Sequence, residues 1–241
     1  MKPENPEDQI ILIDKPAGIS SFGVVAKVRG QLKQEFGHKI KVGHTGTLDP
    51  FATGLMILLS GKFTKKSNDF LKKDKVYEAT LKLGYISTTG DPEGQIQPYL
   101  TKDLPEVITE DEGASPAKTG TSNSYPKLSE IEFVLSCFVG EIKQTPPRFS
   151  AIKINGERAY KLARKNQDFK IPARKVTIYS IDILDYNYPI LKIRCHVSSG
   201  TYIRTLAEDI GKKLKTGAYC EELRRTKIGD YNIEDAKKLV L

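Results

Sequence analysis

Short strand patterns alternate irregularly with amphipathic helix patterns along this chain, and that irregular order limits the folds it can adopt. Strand patterns lie over residues 9–14, 76–83 and 176–197, the last interrupted by one turn. Helix patterns lie over 22–36 and 201–214, where apolar residues recur at three- and four-residue intervals. These elements do not repeat as regular βαβ units, so the sequence predicts an α+β fold with a central mixed or antiparallel sheet.

Three further stretches complete the predicted organisation. Residues 42–54 hold three glycines and one proline in thirteen positions, so we expect neither helix nor strand interior there. Residues 149–154 have a strand pattern and 157–165 a helix pattern. Residues 101–127 carry few apolar side chains and predict a polar insertion or linker with room for a short helix near its start. We expect a single domain over residues 1–238.

The charge balance indicates a polyanionic partner. Lysine and arginine number 38 against 30 acidic residues, a formal net charge of +8, and a basic excess favours binding to phosphate-rich polymers. The alternative is that the chain binds no anion, as many basic proteins do. No apolar run approaches the roughly 20 residues of a membrane span, and the polar N-terminus is not typical of a signal peptide. The sequence therefore predicts a cytoplasmic protein away from membranes.

The cysteines and histidines do not form a metal-binding pattern. Cys137, Cys195 and Cys220 are widely spaced and include no C-x-x-C pair. His38 and His44 have no cysteine at ligand spacing. We therefore expect no metal site.

Three residues stand out as candidates for chemistry, although each has an ordinary explanation. Asp49 lies in a glycine-rich loop and is fixed by the following proline, but turn aspartates are common. Arg204 follows a glycine turn at a predicted helix start, where it could pair with a carboxylate or form only a surface ion pair. Tyr77, inside an alternating strand, would ordinarily be a packing residue.

Together these residues belong to a set of motifs that resembles a known family, the TruB-type tRNA pseudouridine synthases. The stretch G-H-T-G-T-L-D-P-F-A-T-G-L is similar to the family's signature loop. Four other stretches follow the family's order and spacing, and the similarity covers residues 9–235 apart from 101–127. The four stretches are L-I-D-K-P-A-G-I-S-S at 12–21, K-V-Y-E-A at 75–79, S-A-I-K at 150–153 followed by Tyr160, and S-S-G-T-Y-I-R-T at 198–205.

The resemblance implies catalytic roles for three residues. Asp49 occupies the position of the family's catalytic aspartate, the nucleophile that converts uridine to pseudouridine. Arg204 matches the arginine that pairs with that aspartate. Tyr77 matches a tyrosine that packs on the target base and assists proton transfer. The implied fold is the pseudouridine-synthase fold, with helices flanking the sheet and an active-site cleft along it.

The resemblance also implies substrate-binding residues. His44 matches a histidine that fills the gap left by the flipped nucleotide. Tyr202 and Leu223 match pocket-lining positions, and Lys15 with Pro16 matches a pair that supports the active-site loop. Nine basic residues are candidate phosphate contacts, although solvated helix faces explain lysines equally well. They are Lys62, Lys65, Lys66, Lys72, Lys73, Lys153, Arg158, Lys161 and Arg164.

The function implied by the resemblance is isomerisation of uridine 55 in the T-loop of tRNA. It requires no cofactor and no metal, and we expect a monomer that needs no protein partner. The family's small C-terminal RNA-binding PUA domain is expected to be absent, since the chain stops at Leu241. Three alternatives remain: a synthase acting on another RNA, a non-catalytic RNA-binding protein on the same scaffold, and a hydrolase that uses Asp49.

Overall fold

A computed structural model describes residues 5–100, 125–154, 156–165 and 167–239. The described helices are α1 (Ser21–Phe36), α2 (Ser67–Leu71), α3 (Leu128–Ser136), α4 (Ala159–Arg164) and α5 (Ile203–Lys213). The described strands are β1 (Ile10–Lys15), β2 (Val42–His44), β3 (Thr53–Ser60), β4 (Lys75–Leu83), β5 (Tyr85–Ser87), β6 (Ile96–Pro98), β7 (Gly140–Gln144), β8 (Lys153–Ile154), β9 (Glu157–Arg158), β10 (Arg174–Asn187), β11 (Ile190–Val197), β12 (Ala218–Ile228), β13 (Tyr231–Asn232) and β14 (Lys237–Lys238).

Ten of the described strands form one mixed sheet. Its main order is β14-β1-β3-β12-β4-β11-β10-β7, with β2 paired to β3 and β13 paired to β12. The pairs β1–β14 and β3–β12 are parallel, and the other pairs are antiparallel. The predicted α+β fold with a central mixed sheet is confirmed. The short strand β14 has no strand pattern in its sequence. It is defined by its parallel pairing with β1, which the sequence could not predict.

The strand β3 lies near the centre of the sheet and is buried on both faces. Its sequence, T-G-L-M-I-L-L-S, is a nearly continuous apolar run rather than an alternation, which is typical of a strand covered on both sides. Met56 and Leu58 belong to the main core, whereas Leu55, Ile57 and Leu59 pack in a second cluster with Phe70 of α2. The Asp49 loop, residues 45–52, leads directly into this rigid strand.

The helices α1 and α5 follow their predicted patterns closely. The side chain of Ser20 caps α1 by accepting a hydrogen bond from Gly23 N at 3.1 Å, and Gly37 ends it with a φ of +78°. Helix α5 begins two residues later than expected, at Ile203, and packs against β12 and β4. This packing brings Arg204, in the first turn of α5, against the sheet.

Two sequence-based expectations are wrong in part. The stretch 42–54 is not irregular throughout, because β2 covers its first three residues and β3 begins at Thr53. Gly54 fits in β3 because its φ is +110° and a Cβ there would lie 2.3 Å from the carbonyl oxygen of Arg225. Residues 45–52 form the predicted loop.

The strand expected over 149–154 is reduced to β8, and the helix expected over 157–165 is shorter. Residues 153–154 pair with Glu157–Arg158 in a two-stranded hairpin, so the helix α4 starts only at Ala159. Residues 149–152 are not in a strand but line the cavity, and the carbonyl of Phe149 accepts a hydrogen bond from Arg204 Nη2 at 2.9 Å. The apolar pattern of this stretch therefore faces a cavity rather than a sheet.

Most of the polar stretch 101–127 lies outside the described residues, including the short helix expected near its start. Its last residues are described and pack against the end of the long hairpin β10–β11. The ring of Tyr125 stacks on Tyr188 with centroids 4.0 Å apart, and the hydroxyl of Tyr186 donates to the carbonyl of Pro126. In the part of the chain that the structure describes, no helix has the length and apolar character needed to cross a membrane.

Candidate active site

A cavity of about 760 Å³ opens beside the central strands, and the Asp49 loop forms one side of it. Of the residues predicted as catalytic or substrate-binding, five line this cavity: Asp49, Tyr77, Tyr202, Arg204 and Leu223. They come from the loop between β2 and β3, from strands β4 and β12, and from the start of α5. Residues that are more than 170 positions apart in sequence therefore meet at one site.

Asp49 and Arg204 form an ion pair at the wall of this cavity. The Nε atom of Arg204 lies 2.9 Å from Oδ2 of Asp49, although the angle at this contact is outside the range of a hydrogen bond. The Arg204 side chain is 3% exposed, whereas that of Asp49 is 31% exposed, toward the cavity. Arg204 thus orients the carboxylate of Asp49 from the buried side, and the carboxylate is exposed on the side of the cavity.

The remaining nitrogens of Arg204 bind three groups. Nη1 donates to Oδ2 of Asp91 and to the carbonyl of Thr89, both at 2.9 Å, and Nη2 donates to the carbonyl of Phe149. A guanidinium presents its donors in one rigid plane, so these partners fix its orientation. The buried arginine joins the Asp49 loop, the 89–93 loop and residue 149 at a single point.

Asp91 is a buried residue of this site that the sequence did not single out. Its side chain is 4% exposed and lines the cavity behind Arg204. Its Oδ1 accepts hydrogen bonds from Thr89 Oγ1 and from the backbone N–H of Glu93. The available signal was the Asp91-Pro92 pair in a turn-rich loop, which repeats the Asp-Pro pair at position 49.

The electrostatic setting of Asp49 reflects opposing influences. Burial raises the pKa of the Asp49 carboxyl above its ordinary value of 3.8, and the negative charge of Asp91 acts in the same direction. The guanidinium groups of Arg204 and Arg225 lower that pKa and offset part of the effect. The carboxylate is therefore less solvated than that of a surface aspartate, and the two guanidinium groups favour its ionised form.

Tyr77 and Leu223 lie on the neighbouring strands β4 and β12 and form an apolar part of the cavity wall. Tyr77 is 8% exposed and Leu223 is 6% exposed. In the sheet register Tyr77 lies opposite Arg225, and Leu223 lies opposite Ala79, so both side chains are fixed by strand pairing. A planar apolar ligand could pack on this wall.

Tyr202 is held from two sides. The side chain of the buried residue Gln144 accepts a hydrogen bond from the Tyr202 N–H at 2.8 Å and donates one to its carbonyl at 3.0 Å. The guanidinium of Arg174 lies 4.9 Å from the centre of the Tyr202 ring, within the range of a cation–π contact. Gln144 and Arg174 were not predicted, because nothing in their local sequence marks them.

Lys15 and Pro16 do not line the cavity but support the loop that does. The Nζ of Lys15 donates to the carbonyls of Pro16, Ile19 and Pro50 at 2.8, 2.9 and 3.1 Å. Its side chain is fully buried, and burial is the main cause that lowers its pKa to about 8. The resemblance assigned such a supporting role to this pair.

His44 is also outside the cavity wall. It ends β2 beside the Asp49 loop, where its Nδ1 accepts a hydrogen bond from the Gly46 N–H at 3.3 Å. Burial lowers the pKa of the His44 imidazole, and the charges of Arg225 and Arg158 lower it further. The ring is therefore kept neutral near physiological pH.

The predicted phosphate contacts lie mostly on the outside. Arg164 lines the cavity, and its guanidinium lies 5.7 Å from the centre of the Tyr160 ring. The side chain of Lys73 is half-buried and faces Asp230. The others are exposed: Lys62, Lys65, Lys66, Lys72, Lys153, Arg158 and Lys161. Across the described ranges, no group of three or more His, Cys, Asp or Glu side chains is arranged to hold a metal ion.

Comparison with known proteins assigns this fold and site to one family. A model described as "TruB family pseudouridylate synthase (N terminal domain)" matches residues 33–203, and one described as "tRNA pseudouridylate synthase B C-terminal domain" matches residues 204–240. Fold and site together define an enzyme of the pseudouridine synthase class, an isomerase. Within that class, the chain belongs to the TruB family.

Individual relatives agree with this assignment. The tRNA pseudouridine synthase B of Phocaeicola vulgatus is 41% identical over 231 residues, which are 95% of this chain and 89% of the relative. That of Clostridium kluyveri is 40% identical over 229 residues, 95% of this chain and 70% of the relative. Among solved structures, a Cbf5-Nop10-Gar1 complex superposes on 97% of this chain with a TM-score of 0.63 and 27% identity, and this chain spans 52% of the matched chain.

Proposed function

We propose that this enzyme isomerises uridine 55 in the T-loop of tRNA to pseudouridine, with Asp49 as the nucleophile. The observation that carries the proposal is the ion pair between Asp49 and the buried Arg204 at the wall of a cavity of about 760 Å³. A cavity of this volume accommodates a nucleoside, and pockets for such ligands typically measure 300–1,000 Å³. The curated relatives are named for tRNA pseudouridylation, which supports tRNA as the substrate.

The substrate nucleotide must leave its base stack before Asp49 can reach it. Extruding a nucleotide costs a few kcal/mol, which interactions in the enzyme–RNA complex have to offset. His44 is a flat and neutral ring beside the Asp49 loop and outside the cavity, which suits a group that takes the place of the flipped nucleotide. Phe22, 69% exposed at the cavity, provides an apolar surface at the entrance.

The net reaction exchanges one bond of the uracil for another. The bond between N1 of the base and C1′ of the ribose breaks, and a bond between C5 of the base and C1′ forms. The proton lost from C5 is balanced by a proton gained at N1, so no electron or group is exchanged with a cofactor. Asp49 acts as the nucleophile, and Arg204 orients its carboxylate. The phenol of Tyr77 packs on the base and assists the proton transfer.

The site favours retention of the detached uracil. Tyr77 and Leu223 present an apolar wall from two paired strands, and the α5 start with Tyr202 lies beside them. Limited solvent in such a pocket keeps a reactive intermediate from side reactions. We propose further that a single chain carries out the reaction as a monomer, without metal, cofactor or protein partner and in the cytoplasm.

The test is pseudouridine mapping on unmodified tRNA transcripts incubated with the purified protein, with no added cofactor and with a chelator in a parallel reaction. We expect modification at uridine 55 alone in both reactions, and none in a transcript that carries cytidine at that position. Modification of another uridine would contradict the substrate assignment. Binding of tRNA without any modification would support a non-catalytic RNA-binding protein instead.

A further inference from the structure

Arg225, on β12, is a buried cation that the proposed reaction does not yet use. Its side chain is 1% exposed, and within the described ranges no carboxylate lies at ion-pair distance from it. Its donors instead reach three backbone carbonyls. Nε lies 2.8 Å from the oxygen of Leu55, Nη1 lies 3.4 Å from that of Thr47, and Nη2 lies 3.3 Å from that of Gly46.

These carbonyls belong to the two ends of the Asp49 loop. Gly46 and Thr47 precede Asp49 by three and two positions, and Leu55 lies in β3, just after the loop. The backbone of Arg225 also pairs with Gly54, where the two chains approach so closely that only glycine fits. One residue of β12 thus fixes both ends of the loop from behind.

Other contacts hold the middle of the loop. The hydroxyl of Ser21 bonds both the N–H and the carbonyl of Leu48, each at 2.8 Å. The carbonyl of Pro50 accepts from Lys15 Nζ and from the Gly18 N–H. The peptides on both sides of Asp49 are therefore held by groups distant in sequence.

A role for Arg225 in folding alone does not explain this arrangement. Burying a guanidinium without a carboxylate partner is costly, and replacing a buried charge by a well-packed apolar side chain is often neutral or stabilising. Positive charge is already concentrated here, since burial together with the charge of Arg225 lowers the pKa of both Lys15 and Lys75 to about 8. The charge of Arg225 lowers the pKa of the Asp49 carboxyl, so the carboxylate of Asp49 is the negative charge of the site with which this buried cation interacts.

We propose that Arg225 is a positioning residue for the isomerisation, which holds the Asp49 loop in its reactive geometry and provides positive charge behind the carboxylate. This inference rests on the proposed role of Asp49. Arg225 borders the cavity beside the loop, and in this proposal it acts on Asp49 through the loop. Because a displacement of about 1 Å can reduce a rate about 100-fold, loss of this support would be visible in the chemical step.

Two substitutions separate the positioning from the charge. Arg225→Gln removes both, and we expect the single-turnover rate at saturating enzyme to fall about 100-fold, with the acid limb of its pH profile moved to higher pH. Arg225→Lys keeps the charge but lacks the planar fork, so we expect a fall of about 10-fold with the acid limb unmoved. In both variants the enzyme concentration that gives half-saturation with tRNA is expected to stay within about 2-fold of wild type.

The neighbouring residue Arg224 provides the matched control. It pairs with Asp14 at 2.9 Å, and Arg224→Gln is expected to retain the wild-type rate and pH profile. A raised half-saturation concentration with an unchanged rate, or a wild-type rate in Arg225→Gln, would overturn the proposal. If Arg225→Gln does not fold, Arg225→Lys decides, because a wild-type rate there would also contradict it. Failure of the wild type to form pseudouridine would contradict the proposed function instead.

Discussion

The two sides of the cavity differ in how they are held. The Asp49 loop is bonded almost entirely to residues far away in sequence, such as Ser21, Lys15 and Arg225. The opposite side, formed by residues 149–154 and 156–164 and called here the outer wall, is bonded mainly to itself. Arg158 Nη1 donates to the carbonyl of Ala151, the Ala159 N–H donates to the carbonyl of Ile152, and β8 pairs with β9 in a separate two-stranded sheet.

This difference separates two tasks. Chemistry at a carboxylate requires a fixed geometry, which the loop obtains from buried cations and a central strand. The outer wall carries exposed basic side chains, including Arg158, Lys161 and Arg164, which we propose contact the RNA, and its local hydrogen bonds tie it less to the rest of the fold. A long-range hydrogen bond, from Arg204 to the carbonyl of Phe149, links the outer wall to the side that carries Asp49.

Replacing Arg204, which joins the two sides of the cavity, should have the largest effect on the reaction rate. In Arg204→Gln the Asp49 carboxylate loses its partner and the buried Asp91 is left without a cation, so we expect the single-turnover rate to fall at least about 1,000-fold. Removing one partner of a buried pair also destabilises a protein by about 3–5 kcal/mol. Thermal unfolding together with pseudouridine formation measures both effects. A variant with normal activity would contradict the joining role of Arg204.

The pH dependence of the reaction rate tests the environment of Asp49 separately from the outer wall. Burial raises the pKa of Asp49, and its proposed role as nucleophile requires the ionised form, so the rate should fall as pH decreases through a value above 3.8. Single-turnover rates between about pH 4 and about pH 8 measure this limb. The substitution Arg164→Gln, on the outer wall, should leave the acid limb of the rate profile at the same pH. An acid limb at or below the pKa of an exposed aspartate would show that burial is not the main influence on the pKa of Asp49.

Neutralising the outer wall should have a smaller effect, confined to binding. For Arg164→Gln we expect tRNA affinity to fall a few-fold and the salt dependence of binding to lose about one unit of slope, because the proposed phosphate contact of Arg164 is removed. The rate at saturating enzyme should not change. Lys192→Gln, an exposed lysine on β11 outside the cavity, serves as the control. A rate effect without an affinity effect would place Arg164 among the catalytic groups.

The smallest effect concerns hydrogen exchange in the free protein. The Leu48 N–H, bonded to the buried hydroxyl of Ser21, should exchange at least about tenfold more slowly than the Ala159 and Tyr160 N–H groups, whose acceptors lie in the outer wall itself. Amide exchange followed by mass spectrometry or NMR compares them. Equal protection would mean that the two sides are equally rigid.

The sequence predicted the elements whose patterns are local. Helix α1 could be predicted because Ser20 and Gly37 mark its ends, and Asp49, Tyr77 and Arg204 were found because their motifs are contiguous and resemble a family. Asp91 and Gln144 were missed because their role depends on partners more than 50 positions away. Residues 149–152 follow a strand pattern, yet they line the cavity, where the carbonyl of Phe149 accepts a hydrogen bond from Arg204.

The assignment of Asp49 as the nucleophile is tested most directly by Asp49→Asn, assayed for both pseudouridine formation at uridine 55 and tRNA binding. We predict no detectable pseudouridine with a tRNA dissociation constant within about 2-fold of wild type, because the amide keeps the shape but cannot act as the nucleophile. Asp230→Asn, at a side chain that is 94% exposed, should match wild type in both assays. Pseudouridine formation by Asp49→Asn at a measurable rate would contradict the account.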